Sequence, residues 1–225
     1  GAALHRCQNV TLDIDATELV SHKREAKYTY KKNPGYMPML GHIAQTGQVV
    51  ACDFRDGNIA PATDNLAFIK QCEQALPSGV RVTNLRIDAA GYQTKIIRYC
   101  LEQGMGFAIR AKMSQTLRDL IKSRRESDWE PLMGRDGNQQ TEQSTCRVMH
   151  TIGDLDTPIT LIVQRKALCG QMELPLGDET EVVEQAIDNG YIYRAIATNR
   201  IDLNDSELIH RSEEHTSELQ SLLII

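Results

Sequence analysis

Two aspartates, each at the end of a strand-like apolar run, constrain this chain more than any other feature. Asp15 ends the run of residues 10–15, and Asp88 ends the run of residues 80–88. The alternating, β-branched pattern of both runs predicts strands. Hard divalent ions such as Mg²⁺ bind oxygen ligands and take one or two carboxylates from a protein. The sequence therefore predicts a divalent-metal site if these two side chains meet.

The composition is typical of an ordinary soluble globular protein, with 41% hydrophobic and 24% charged residues. No window approaches the ~18 uninterrupted apolar residues of a membrane-spanning helix. The six cysteines are scattered singly, without the close spacing of a zinc site or a redox motif. Reduced thiols indicate a cytoplasmic protein. We therefore expect no membrane partner.

The order of predicted elements indicates an α/β sheet with helices on its faces. In such sheets ligands bind at the carboxyl ends of the strands, where both aspartates fall. The predicted strands lie at residues 8–20, 28–30, 41–45, 49–54, 80–88, 107–111, 146–152, 159–164 and 191–198. The predicted helices lie at residues 64–76, 92–103 and 114–125, and residues 127–145 are predicted to be polar turns.

Four ordered segments, residues 12–18, 35–41, 85–92 and 107–112, resemble the DDE-domain transposases of bacterial insertion sequences. Among the DDE-domain transposases, the chain is most similar to the group called transposase DDE domain group 1. The resemblance extends over residues 8–210. It implies a ribonuclease-H-like fold, a mixed α/β sheet flanked by helices, with a β-rich insertion before the last catalytic helix.

The resemblance also implies a division of the chain into four parts. Residues 1–126 would form the first part of the catalytic core, and residues 127–190 the β-rich insertion. Residues 191–210 would return to the core as a strand. The first eleven residues of 211–225 resemble the translation of a common sequencing adapter, so we expect this tail to be an artefact. The chain has no initiator Met, which indicates a fragment.

The family's chemistry would fall on Asp15 and Asp88. The resemblance assigns Asp15, in an Asp-x-Thr setting, as the first catalytic aspartate and Asp88 as the second, with Asp13 as a weaker candidate. It implies metal-dependent phosphodiester cleavage and strand transfer at insertion-sequence ends. Two Mg²⁺ or Mn²⁺ ions ~3.5–4 Å apart would act there, with Asp15 bridging both and Asp88 holding one.

The family's third acid is a glutamate on a late helix, in a Tyr-x-x-Arg-x-x-x-Glu-like run. This run would follow residues 206–210. Glu213, Glu214 and Glu218 lack the tyrosine and arginine that should precede the acid. We therefore expect the third acid to be absent and this chain to be inactive or severely impaired.

Two basic stretches, residues 22–32 and 110–125, could contact DNA despite the net charge of −5. Phosphate binding depends on where the cations lie rather than on net charge. We expect four of these cations to contact double-stranded DNA, which would be the transposon ends and the target: Lys31, Lys32, Arg110 and Lys112. The alternative is that the basic stretches are solvated charged faces that bind nothing. The family further implies a bacterial, nucleoid-associated protein and allows a homodimer in the DNA complex.

Other interpretations remain open at the level of sequence. Trp129, in a polar loop, could stack on an unpaired base or anchor the loop to the core. The chain could also be a metal-dependent nuclease of the same fold that does not transpose. A third alternative is a non-catalytic DNA-binding module in which the acids are only structural.

Overall fold

The computed structural model describes residues 8–137, 139–168 and 186–212. The chain forms two compact units, and the division falls between Phe107 and Ala108. Within the described residues, no helix has both the length and the apolar character needed to cross a membrane.

The first unit contains a mixed sheet and a smaller second sheet. Its elements are strands β1 (Asn9–Ala16), β2 (Leu19–Val20), β3 (Lys27–Tyr28), β4 (Pro34–Tyr36), β5 (Met39–Ile43), β6 (Gln48–Asp53) and β7 (Arg81–Ile87), with helices α1 (Asn65–Gln74) and α2 (Thr94–Glu102). The main sheet has the order β6-β5-β1-β7, in which only the β1–β7 pair is parallel. Strands β2, β4 and β3 form the small sheet.

One face of the main sheet is apolar and packs under helix α1. Leu12 and Ile14 of β1 are fully buried, as alternation along a strand with one covered face requires. Gly41 of β5 lies opposite Ile14, and a Cβ atom there would be 2.4 Å from the Sγ atom of Cys72 in α1. Glycine therefore lets the helix approach the strand backbone closely.

The second unit is an antiparallel sheet with two α-helical segments and a 3₁₀ turn at Glu126–Asp128. Its elements are strands β8 (Gly106–Arg110, which begins before the division), β9 (Glu130–Met133), β10 (Gln140–His150), β11 (Ile159–Ala167), β12 (Ala186–Asp188) and β13 (Tyr191–Thr198), helix α3 (Gln115–Lys122) and helical residues 205–212. The strand order is β8-β13-β11-β10-β9, with β12 on β13. Leu132, Ile162, Ile196, Leu208 and Ile209 form its apolar cluster.

The predicted α/β class, with a mixed sheet and flanking helices, is confirmed. Helices α1, α2 and α3 lie within the predicted ranges, and the hairpin of β5 and β6 forms where expected. Ser114 caps α3 as predicted, because its Oγ atom accepts a hydrogen bond from the Leu117 N–H at 3.2 Å.

The prediction of polar turns over residues 127–145 was wrong, because β9 and the first half of β10 lie there. Gln143 and Ser144 of β10 pair with Lys166 and Arg165 of β11. These backbone ladders form regardless of side-chain polarity, so the polar composition hid the strand. The short strand β12 was also missed.

Candidate active site

Asp15 and Asp88 lie at the same edge of the first unit's main sheet. Asp15 is the penultimate residue of β1, and Asp88 directly follows β7. These strands are parallel, and Ile14 pairs with Ile87 one position before the two aspartates. Since adjacent strands lie about 4.8 Å apart, the register places the two backbone positions side by side. The prediction that both aspartates lie at the carboxyl ends of strands is thus confirmed.

The alternation of β1 separates the acidic residues from the apolar core. Leu12 and Ile14 point to the face under α1, so Asp13 and Asp15 point to the other face. Asp13 is fully buried, whereas Asp15 is half-buried. The hydroxyl of Thr17 donates a 3.3 Å hydrogen bond to Asp15 Oδ2. Asp15 thus combines partial solvent access with an oriented carboxylate.

Asp13 forms a buried ion pair. Arg86 of β7 donates from Nε to Oδ1 at 2.6 Å and from Nη2 to Oδ2 at 2.5 Å. His42 Nε2 lies 3.4 Å from the same Oδ2 atom. A metal ion at Asp13 would have to displace a bidentate guanidinium, which is a strong carboxylate partner. Asp13 is therefore better explained as structural support next to Asp15 than as a ligand.

A tight turn fixes the direction of Asp88. Its Oδ1 atom accepts from the Ala90 N–H at 2.9 Å and caps the 3₁₀ turn Ala89–Gly91. The Gly91 N–H donates to the Asp88 carbonyl at 3.0 Å. A Cβ atom on Gly91 would lie 2.2 Å from Ile87 Cγ2, so this position has no room for a side chain. The turn therefore depends on glycine.

Two amide side chains, of the buried Asn65 and the half-buried Gln93, hold this turn from the side, and sequence analysis missed both. The Ala90 carbonyl accepts from Gln93 Nε2 at 2.6 Å and from Asn65 Nδ2 at 3.3 Å. Gln93 Nε2 also donates to the Ala62 carbonyl at 2.9 Å. Nothing in the local pattern distinguishes Asn65. Arg86 could have been noticed as a cation within an apolar strand, on the same side as Asp88.

The chemistry of the two carboxylates fits a hard divalent ion. Both are oxygen donors, and they come from adjacent parallel strands. No cluster of three or more His, Cys, Asp or Glu side chains with metal-binding geometry occurs among the described residues. Glu213, Glu214 and Glu218, which were considered for the third acid, lie outside the described residues.

The four cations assigned to DNA lie in two different units. Lys31 and Lys32 are exposed in the turn between β3 and β4, and Lys31 Nζ lies 5.7 Å from the Tyr30 ring centroid. Arg110 is the last residue of β8, and Lys112 follows it; both are half-buried in the second unit.

Trp129 contacts an arginine of the second unit. The Arg165 guanidinium lies 4.2 Å from the Trp129 ring centroid and 4.7 Å from that of Tyr191. Arg165 also donates to Glu126 Oε2 at 2.9 Å and to Ser144 Oγ at 2.7 Å. The hydrogen bond from Arg165 lowers the pKa of Glu126. These contacts favour the loop-anchoring interpretation of Trp129.

Comparison with known protein families identifies the family of this chain. The family described as transposase DDE domain group 1 matches residues 3–153, so the chain belongs to this family. Its mixed α/β sheet agrees with the ribonuclease-H-like fold expected for such a domain. No curated protein matches the chain.

One similar solved structure is the piggyBac transposase in its synaptic complex with hairpin DNA, determined by cryo-EM. The sequence identity is 10% and the TM-score is 0.49. The match covers 97% of this chain and 41% of the piggyBac chain. This chain therefore spans less than half the length of that protein.

Proposed function

We propose that this chain is the catalytic part of a DNA transposase that cleaves and joins phosphodiester strands at the ends of an insertion sequence. The observation that carries the proposal is the parallel register of β1 and β7, which sets Asp15 beside Asp88 in a member of a DDE family. Partly exposed carboxylates at strand ends are suitable ligands for Mg²⁺ or Mn²⁺.

In this proposal each residue around the site has a defined task. Asp15 and Asp88 would hold the metal ions, with Thr17 and the Ala90 N–H fixing the carboxylate directions. Arg86 pairs with the neighbouring Asp13, so we assign the ion-holding role to Asp15 and Asp88 and not to Asp13. Bound metal would activate a water or a DNA 3′-hydroxyl as nucleophile and stabilise the leaving oxygen.

We further propose that the 225-residue chain is inactive or severely impaired by itself. The two-ion arrangement needs a third acid, and Glu213, Glu214 and Glu218 have no Tyr and Arg at the family's spacing before them. The sequence-based division into residues 1–126, 127–190 and 191–210 is retained within this proposal.

The proposed partner is double-stranded DNA, both as transposon end and as target. Lys31, Lys32, Arg110 and Lys112 would contact its phosphates without reading sequence. We include a homodimer in the DNA complex and a bacterial cytoplasmic location, near the nucleoid, as parts of the same proposal.

Metal binding tests the site without requiring activity. We expect calorimetric titration with Mn²⁺ to show binding that Asp15→Asn or Asp88→Asn weakens more than about tenfold, since each removes a ligand. Glu102→Gln, at an exposed position at the end of α2, is the matched control and should bind like the parent. Equal Mn²⁺ affinity in all four proteins, with unchanged thermal unfolding, would show that the two aspartates are not ligands.

A DNA assay separates the proposal from its alternatives. We expect no metal-dependent cleavage of duplex DNA by this chain. Cleavage that Asp15→Ala abolishes would contradict the proposed inactivity, and cleavage without joining of 3′-hydroxyl ends would favour a nuclease. Metal-independent DNA binding together with unchanged Mn²⁺ affinity in the aspartate variants would favour a non-catalytic module.

A further inference from the structure

One face of the small β2-β4-β3 sheet carries a row of apolar and aromatic side chains. Leu19 pairs with Tyr36, and Tyr28 pairs with Pro34. Paired residues share a face, and so do residues two apart on one strand, so these four side chains lie on the same side. Phe54 extends the row, with its ring centroid 5.0 Å from that of Tyr36. We call these five residues the aromatic strip.

The ends of the aromatic strip are open to solvent. Tyr28 is 71% exposed and Phe54 is 62% exposed. Singly exposed apolar residues are normal on a protein surface, whereas a contiguous exposed apolar patch more often marks a binding surface. The strip therefore offers two solvent-exposed aromatic rings to a partner.

The charge beside the Tyr28 end of the aromatic strip indicates the chemistry of that partner. Residues 20–33 contain five cations and a single acid, Glu25, in a chain whose net charge is −5. The five cations, all exposed, are Lys23, Arg24, Lys27, Lys31 and Lys32. A complementary partner combines negative charge with planar apolar groups. Nucleotides have both, through their phosphates and their bases.

The turn that presents the lysines is built before any partner binds. The Thr29 N–H donates to the Asn33 carbonyl at 2.8 Å, and the Lys32 N–H donates to the Thr29 carbonyl at 2.9 Å. Glu18 accepts from the Thr29 hydroxyl and from Asn33 Nδ2. This carboxylate is thus engaged in shaping the turn, which lowers the entropy lost when the turn binds a partner.

We propose that the aromatic strip binds unpaired nucleotides of a single DNA strand. Bases would stack on Tyr28 and Phe54, and phosphates would lie against Lys31 and Lys32. Stacking on side chains requires free base faces, which a duplex keeps covered. A second copy of this chain would instead bring like charges together. The inference rests on the proposed function for the identity of the partner as DNA.

Fluorescence anisotropy with a labelled oligothymidylate of about 15 nucleotides, a length typical of single-strand sites, tests the inference. The full chain is titrated in EDTA, so that metal binding plays no part. Tyr28→Ala should weaken binding about 5- to 150-fold, the range that loss of one stacked base gives. Tyr28→Phe keeps the ring and should bind within about twofold of the parent. Ile201→Ala, at a position also 71% exposed, is the control and should change nothing.

A second arm separates stacking from charge. Lys31→Ala should reduce the slope of log affinity against log salt by about 0.7, whereas Tyr28→Ala should leave that slope unchanged. An abasic strand of equal length should bind far more weakly than oligothymidylate.

Three results would overturn the inference. They are equal affinity of Tyr28→Ala and Tyr28→Phe, equal affinity for the abasic strand, and a strip variant that alters self-association or binding of a proline-rich peptide but not of DNA. If these DNA-binding tests fail while the Asp15 and Asp88 variants weaken Mn²⁺ binding as expected, only the role of the aromatic strip is refuted. If the parent binds oligothymidylate as expected but shows no Mn²⁺ binding that depends on Asp15, only the catalytic proposal is refuted.

Discussion

One arginine–carboxylate pair of the first unit differs from one of the second unit in the burial of its carboxylate. In the first unit both side chains are largely buried, with 0% exposure for Asp13 and 11% for Arg86. In the second unit only the arginine is buried, with 9% exposure for Arg165 and 77% for Glu126. The carboxylate has therefore lost its water in the first pair and keeps it in the second.

The burial of each pair determines how much the stability of the protein depends on it. The fully buried Asp13 carboxylate is held by Arg86, and His42 Nε2 lies 3.4 Å from it. Arg165 has two aromatic faces and the Ser144 hydroxyl in addition to its carboxylate. A buried charge without compensation is costly, so the first pair should matter more for stability.

The largest effect is expected from Arg86→Leu, which leaves the Asp13 carboxylate buried without its cation. The free energy of unfolding should fall by about 3–5 kcal/mol. Urea unfolding followed by far-UV circular dichroism measures the loss. The only tryptophan, Trp129, lies in the second unit, so its fluorescence reports separately on that unit.

The double variant Asp13→Leu with Arg86→Leu is the control for this prediction. Replacing both charges by apolar groups removes the uncompensated carboxylate, so most of the lost stability should return. A double variant as unstable as Arg86→Leu alone would mean that the ion pair is not the cause.

A smaller effect is expected from Arg165→Lys. Lysine keeps the charge but loses the planar contact with Trp129 and the bidentate hydrogen bonds to Glu126. The free energy of unfolding should therefore fall by about 1–3 kcal/mol. The emission of Trp129 should shift in the folded state. Lys166→Ala, at the exposed neighbouring position, should leave both observables near the parent values.

The smallest effect is expected from Glu126→Gln, because Glu126 is largely exposed. Arg165 holds the Glu126 pKa below its ordinary value of 4.5. The ionised Glu126 therefore contributes its full stabilisation above the unfolded pKa, and this stabilisation is lost as the pH falls through the lower folded pKa. The free energies of unfolding of the parent and of Glu126→Gln should differ slightly at pH 7 and converge below the folded pKa. A difference in free energy that grows on acidification would contradict this assignment.

The comparison also shows which parts of the fold a sequence can predict. Strands β1 and β7 alternate apolar and polar residues, and helices α1 and α2 have clear apolar faces, so the first unit was largely predictable. Residues 140–145 of β10 are polar throughout, and their pairing with β11 comes from backbone contacts between distant segments. Local pattern contains no information about such a partner.

The positions of the candidate site residues were predictable from the local pattern, but their long-range contacts were not. The positions of Asp15 and Asp88 at strand ends followed from the runs that precede them. The pairing of Asp13 with Arg86 needed the register between β1 and β7, and the contact of Asn65 with the Ala90 carbonyl needed the packing of α1. Both are long-range contacts that no single segment encodes.

The close contact between Gly41 and Cys72 gives the first unit an internal reporter of local opening. Burial raises the pKa of the Cys72 thiol to about 12, so almost no reactive thiolate exists while α1 stays on the strand. Cys52 is exposed on β6. Alkylation of Cys52 would thus follow the chemical rate of the reagent, and alkylation of Cys72 would follow the frequency with which the helix lifts away.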